Sequence, residues 1–170
     1  MSIKNPVIAI TGSSGAGTTS VTRAFQHIFR RESLNAAIIE GDSFHRYDRL
    51  EMRAKMAEKS LAGDHHFSHF GPEANLLAEL EGLFREYGET GRGRSRHYVH
   101  DDAEAEKYGA PPGTFTEWAD LPSDTDLLFY EGLHGGVRSE AVDIGRYVDL
   151  CVGVVPIINL EWIQKLHRDK

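Results

Sequence analysis

Between Val7 and Arg31 an apolar run, V-I-A-I-T, leads through G-S-S-G-A-G-T-T into a segment where Val21, Phe25, Ile28 and Phe29 recur at helical spacing. Few folds accommodate all three pieces. The apolar run Val7–Thr11 reads as a buried strand, the glycine-rich stretch as a turn, and Ser20–Arg31 as an amphipathic helix. Strand, tight turn and helix in that order form a βα unit, which commits the chain to a parallel sheet with helices on its faces. Glycines also admit positive φ, so successive amide N–H groups can turn inward, and the helix adds the partial positive charge of its first turn. Such a loop cradles phosphate.

Gly12-Ser13-Ser14-Gly15-Ala16-Gly17-Thr18-Thr19 fits G-x-x-x-x-G-K-[ST] everywhere except at the lysine, where Thr18 stands. Thr19 occupies the place of the hydroxyl that ligates Mg²⁺, and Ser20 follows it into the helix. Gly12–Ser20 is therefore the candidate ATP loop; a Gly/Ser connector without a ligand is the alternative. A cation other than the loop lysine must then face the transferring phosphoryl group. Lys165 and Arg168, three apart in the segment Leu160–Lys170 read as a helix, share a face and suit that role. A basic helix end that complements the macrodipole is the plainer reading.

The rest of the chain continues the alternation. Ala36–Glu40, Leu127–Tyr130 and Leu150–Val155 read as further strands, Leu50–Leu61 and Glu73–Tyr87 as helices, and Gly88–Gly113 as irregular. Ligands in such sheets bind beyond the carboxyl ends of the strands. Two acids stand there: Asp42 after the second strand, and Glu131 after the third. Glu131 suits the carboxylate on the Mg²⁺ side. Asp42 suits a general base for an acceptor hydroxyl, or else the N-cap of a helix opened by Ser43-Phe44-His45. His45 and Arg49, four apart, share a face if helical and offer a cationic pair to a phosphorylated acceptor. Arg92, Arg94 and Arg96 alternate, so an extended chain would project them to one side; they read as a solvated loop, the alternatives being an anion site or contact with the acidic stretch Asp101–Glu106 of a neighbour. Nine histidines raise the question of metal, but none stands in a zinc spacing. Trp118 and Trp162 read as core or interface residues.

Composition narrows the partners. The 170 residues are 40% hydrophobic and 26% charged, ordinary for a chain that buries one core, so a single domain over 1–170 is expected. A net charge of −7 argues against a nucleic-acid partner. The longest apolar run, near Cys151–Ile158, is too short to cross a membrane, and the lone Cys151 suits the cytoplasm.

G-S-S-G-A-G-T-T-S, E-G-D-S-F-H-R, F-S-H-F, R-E-Y-G-E-T-G, R-H-Y-V-H-D-D-A-E-A, L-L-F-Y-E-G-L-H-G and V-P-I-I-N-L-E-W-I-Q-K-L-H-R-D together resemble the bacterial phosphoribulokinase family, from about Pro6 to Lys170. The resemblance implies an α/β fold, the P-loop nucleoside-triphosphate-hydrolase-like three-layer sandwich with a mostly parallel sheet. It implies ATP-dependent phosphorylation of ribulose 5-phosphate at O1, giving ribulose 1,5-bisphosphate for the Calvin cycle. It also implies Asp42 as base, Glu131 on the metal side, His45, Arg49 and His100 near the sugar phosphate, and Lys165, Arg168 and Asp169 in the catalytic basic segment. A homo-oligomer and effector control by small metabolites are expected. Family members continue past a position like Lys170, so a chain cut short at its C-terminal end is expected as well. The plant branch carries a regulatory cysteine in its P-loop; Gly12–Thr19 has none. A uridine-type kinase and a non-catalytic nucleotide-binding module are the competing readings.

Overall fold

The computed structural model describes residues 4–13, 15–155, 163 and 166. In chain order these form β1 (Val7–Gly12), α1 (Thr18–Arg31), β2 (Ala36–Glu40), α2 (Arg49–Leu61), α3 (Leu77–Thr90), β3 (Arg94–Ser95), α4 (Asp102–Tyr108), β4 (Ala119–Asp120), β5 (Leu127–Gly132) and β6 (Leu150–Val154). Short 3₁₀ turns occupy Gly41–Phe44, Pro72–Ala74 and Ile144–Tyr147. The main sheet runs β2-β5-β1-β6, all parallel. A small antiparallel ribbon, β3 with β4, lies apart from it. No helix among the described residues is long and apolar enough to cross a membrane.

Strand alternation divides the core in two. Ile10, Leu127 and Phe129 point to one face, where they meet Val21, Phe25 and Phe29 of α1. The rings of Phe25 and Phe29 lie 5.4 and 5.3 Å from that of Phe129, at tilted and edge-on angles favourable for aromatic pairs. Val7, Ala9, Leu128 and Tyr130 point to the other face and pack with Leu80, Leu83, Phe84 and Tyr87 of α3. Each fully buried side chain of this size contributes about 1.5–3 kcal/mol. Helix, sheet and helix thus make the three layers that the sequence implied.

The register sets the site. Thr11 lies opposite Gly132 and Glu40 opposite Glu131, so the carboxyl ends of β1, β2 and β5 finish level. Three expectations need correcting. The helix read from Glu73 begins only at Leu77, because Pro72–Ala74 forms a 3₁₀ turn and Asn75 is extended, at φ −128° and ψ 147°. Gly88–Gly113 is not wholly irregular: Asp101 caps α4 through the Glu104 amide, and Gly109, at φ 71°, ends it. His45 and Arg49 do not share a helix either, since His45 is extended and Asp48 starts α2 with a capping box to Glu51. The helix expected at Leu160–Lys170 lies outside the described residues except for Ile163 and Leu166, both helical.

Candidate active site

The phosphate loop is built from backbone. Gly15 and Gly17 adopt φ 86° and 98°, the left-handed region that a side chain resists. Gly17 is the N-cap of α1 and supplies no side chain to its first amides, which leaves them to an anion. Thr18 and Thr19 open the helix, with the Thr19 side of the turn exposed to solvent.

Beside the loop, the ends of β2 and β5 approach within reach of a single methyl. A Cβ on Gly132 would lie 2.8 Å from Gly41 Cα and 2.5 Å from the Tyr130 hydroxyl oxygen. That buried hydroxyl accepts from the His134 amide at 3.4 Å, and burial pushes its pKa up, so it stays a neutral pillar. Thr11 ties the loop after β5 to β1 by donating to the Leu133 carbonyl at 2.6 Å. Two acids therefore hang over one opening, Asp42 from the turn after β2 and Glu131 from β5.

Asp42 is not a helix cap. It lies inside the Gly41–Phe44 turn and its carboxylate reaches His45 Nε2 at 3.2 Å and His100 Nε2 at 3.6 Å. The hydrogen bond from His45 holds its carboxyl below the usual range against the opposing effect of burial. For His45, burial opposes the charge, but Asp42 and Asn75 outweigh it and the pKa rises. Asn75 Oδ1 lies 2.9 Å from His45 Nδ1. Arg96 secures the turn from below, donating to the Ser43 carbonyl at 2.9 Å and the His45 carbonyl at 2.6 Å. Its guanidinium is stacked 3.6 Å from the Phe115 ring and 5.0 Å from Trp118. Arg96 thus leaves the solvated loop expected for it, whereas Arg94 bonds the Trp118 carbonyl and pairs with Asp120 in the open. Trp118 packs edge-on against Phe44 at 5.6 Å, a core residue as expected.

Two clefts adjoin at this point. One, of about 400 Å³, is lined by Gly12, Ser13, Gly15, Thr18 and Thr19 together with Glu131 and His134. The other, of about 390 Å³, is lined by Arg49, Arg53, Tyr98 and His69. Asp42, His45 and His100 line both. Arg49 is anchored there through a bond to the His100 carbonyl at 2.9 Å. The first cleft suits a polyphosphate and a divalent ion between Thr19 and Glu131; the second suits a smaller anion, with a carboxylate on the wall between them.

A family model described as the Phosphoribulokinase / Uridine kinase family matches residues 7–170. The chain belongs to this family. The phosphoribulokinase of Nitrobacter vulgaris is 67% identical over 98% of this chain and 58% of its own length. The chromosomal phosphoribulokinase of Cupriavidus necator is 65% identical over all of this chain and 58% of its own. The chain thus spans under two thirds of the relatives it matches. A solved phosphoribulokinase from Rhodobacter spheroides superposes with TM-score 0.86 at 55% identity, over 98% of this chain and 56% of that one. A possible uridine kinase from Bacillus stearothermophilus shares the fold, with TM-score 0.62 at 15% identity over 98% of this chain and 82% of that one.

Within this P-loop kinase fold, Asp42, His45, Arg49, His100, Thr19 and Glu131 line the two adjoining clefts. Ser14, Lys165, Arg168 and Asp169 lie outside the described residues, as does Trp162. Sequence reasoning missed Asn75, Arg96, Tyr98 and His134. Arg96, Tyr98 and His100 carry a signal that was available, the alternation of one side of an extended chain. Asn75 carried none, because the apolar spacing after it hides the break before Leu77. Glu40 and Glu104 also line the first cleft, and burial and then Glu104 raise the Glu40 carboxyl.

Proposed function

We propose that the chain carries the ATP and acceptor sites of a phosphoribulokinase, transferring the γ-phosphoryl group of ATP to O1 of ribulose 5-phosphate. The observation that carries this reading is the position of Asp42, His45 and His100 on the shared wall of the two clefts. The backbone loop Gly12–Ser20 holds the ATP phosphates. His45, Arg49 and His100 hold the acceptor's phosphate. O1 attacks the γ-phosphorus, the new O1–P bond forms as the bond to the β-phosphate oxygen breaks, and the O1 proton passes to the Asp42 carboxylate. Mg²⁺ at the Thr19 hydroxyl and Glu131, when bound, neutralises charge on the β- and γ-phosphate oxygens. Thr18 brings no charge to the γ-phosphate; Lys165 and Arg168, three apart in sequence, are the cations that take its place, and the family resemblance puts Asp169 in the same basic segment. A histidine and arginines in the second cleft favour a phosphorylated acceptor over an uncharged nucleoside, which needs no second anion site.

The test is ADP release from Mg·ATP with ribulose 5-phosphate or with uridine, on the protein as its gene encodes it. Release with ribulose 5-phosphate alone supports the reading. Release with uridine alone transfers the assignment to nucleoside phosphorylation, and ATP binding without release to either acceptor makes the chain a binding module.

A further inference from the structure

Asn75 is 1% exposed, lines neither cleft, and yet spends its whole side chain on the acceptor site. It sits opposite His45 in an isolated antiparallel bridge. The flanking bonds, Arg46 amide to Ala74 carbonyl at 2.8 Å and Leu76 amide to Phe44 carbonyl at 2.7 Å, make the two residues a non-hydrogen-bonded pair. Side chains stand closest in such pairs. The Asn75 Nδ2 group donates to the carbonyls of His69 and Gly71, at 2.8 and 2.7 Å. Carbonyls only accept, so the amide orientation is settled and Oδ1 must be the acceptor toward His45 Nδ1. Nδ1 therefore carries a proton. A neutral ring in that tautomer would turn a bare Nε2 toward the Asp42 carboxylate, acceptor against acceptor, at 3.2 Å. Only the doubly protonated ring satisfies both neighbours.

We propose that Asn75 is a positioning residue of the acceptor site: it fixes the Nδ1 proton of His45 and so favours the doubly protonated ring that pairs with Asp42. The inference rests on the reading of the two clefts given above and deepens it. The other charged groups near the ring do not supply this preference. Arg96, behind the turn, disfavours a charged His45, while burial and then the charge on His45 lower the pKa of His69, and burial above all lowers that of His134, in the flanking loops. Arg49 and Arg53 of α2 add positive charge to the same cleft, and Asp48 caps that helix instead. His100 competes with His45 for Asp42, and Tyr98 meets the His45 ring edge-on at 6.2 Å. Among the described residues, Asp42 and Asn75 are the groups that favour the charge.

Two near-isosteric variants separate this role from simple packing. Asn75→Leu and Asn75→Asp both lose the donation to the His69 and Gly71 carbonyls; they differ in what faces Nδ1. Long-range ¹H–¹⁵N NMR titration of the His45 ring is expected to move its midpoint down in Asn75→Leu and up in Asn75→Asp, with the proton of the neutral parent ring on Nδ1. Equal midpoints in parent and variants, or movement of both in one direction, overturns the proposal. If the leucine variant does not fold, the aspartate variant and the parent tautomer decide it, and a parent ring protonated on Nε2 alone overturns it without any variant. In the gene-encoded protein, Asn75→Leu is expected to lower kcat/KM for ribulose 5-phosphate about tenfold above pH 7 and less at pH 6, with KM for ATP unchanged. The ring titration needs no catalysis. If it moves as stated while ribulose 5-phosphate yields no ADP, the functional reading fails and the Asn75–His45 pairing stands.

Discussion

The phosphate loop takes its form from one stretch of chain, Gly12–Ser20, whereas the corner around Asp42 is assembled from five separate ones. In the loop the shape lies in backbone angles, at Gly15 and Gly17, and the first amides of α1 have no side-chain cap. In the corner the shape lies in side chains bonded across long stretches of sequence: His45 to Asn75, Arg96 to Ser43 and His45, His134 to the Phe70 carbonyl. A backbone site tolerates a change of side chain and fails when a Cβ intrudes. A side-chain site tolerates neither loss of a partner nor a change in its protonation.

The largest effect expected from this contrast is at Asp42. Asp42→Asn should lower turnover by about 10²–10⁴, the usual worth of a general base, while ATP affinity, held by the loop, stays near the parent value. Turnover within about threefold of the parent would show that no base is needed there. Arg96→Met is expected to come next. It keeps an apolar stem between Phe115 and Trp118 but strands two carbonyls that a cation had bonded, at a cost of about 1.5–3 kcal/mol in denaturant stability. Its kinetic signature is a higher KM for the sugar phosphate with KM for ATP unmoved. Gly12→Ala probes the other region. Its Cβ would lie 2.8 Å from the Val154 carbonyl oxygen and 3.0 Å from Thr18 Cγ2, so β6 or the loop must shift. About 1–3 kcal/mol of stability and a weaker grip on ATP are expected, measured by denaturation and nucleotide titration.

The smallest effect is on pH-dependent stability. The raised pKa of His45 stabilises the fold below the pKa of a free imidazole and is lost as pH rises through the folded value. The lowered pKa of Asp42 stabilises it above the pKa of a free carboxyl and is lost as pH falls through the folded value. The stability gap between the parent and Asp42→Asn should therefore be widest at about pH 4–6.5 and shrink on both sides. Since the Asp42 side chain is 51% exposed, the change in the gap should stay under about 1 kcal/mol. A gap independent of pH would show that the pair is not coupled to folding.

Much of the fold was legible because its signals are local. The strands Ala36–Glu40 and Leu127–Gly132 are continuous apolar runs that stop at an acid and a glycine, and their observed ends differ from the expected ones by two residues at most. Helix α2 starts within one residue of the expected Leu50, and the capping box of Asp48 and Glu51 is a further local signal at that start. The start of α3 was not legible, since Leu76, Leu77 and Leu80 repeat at helical spacing whether or not Glu73–Asn75 joins them. In the candidate site, residues at strand ends were legible from topology alone. Asn75 and His134 act through partners 30 and 64 residues away, and no spacing rule reaches that far.

The sequence by itself determined the βα unit, the parallel sheet, the glycine-rich turn and the placing of Asp42 and Glu131 beyond strand ends, because glycine angles, apolar periodicity and strand ends are written within a few residues. Only the tertiary structure decided that the two clefts share a wall, and that a buried amide 30 residues from His45 faces its Nδ1. Which partner a polar side chain finds depends on how separate strands and loops are brought face to face, and that is settled by packing around Tyr130, Phe44 and Trp118 rather than by any neighbour in the chain.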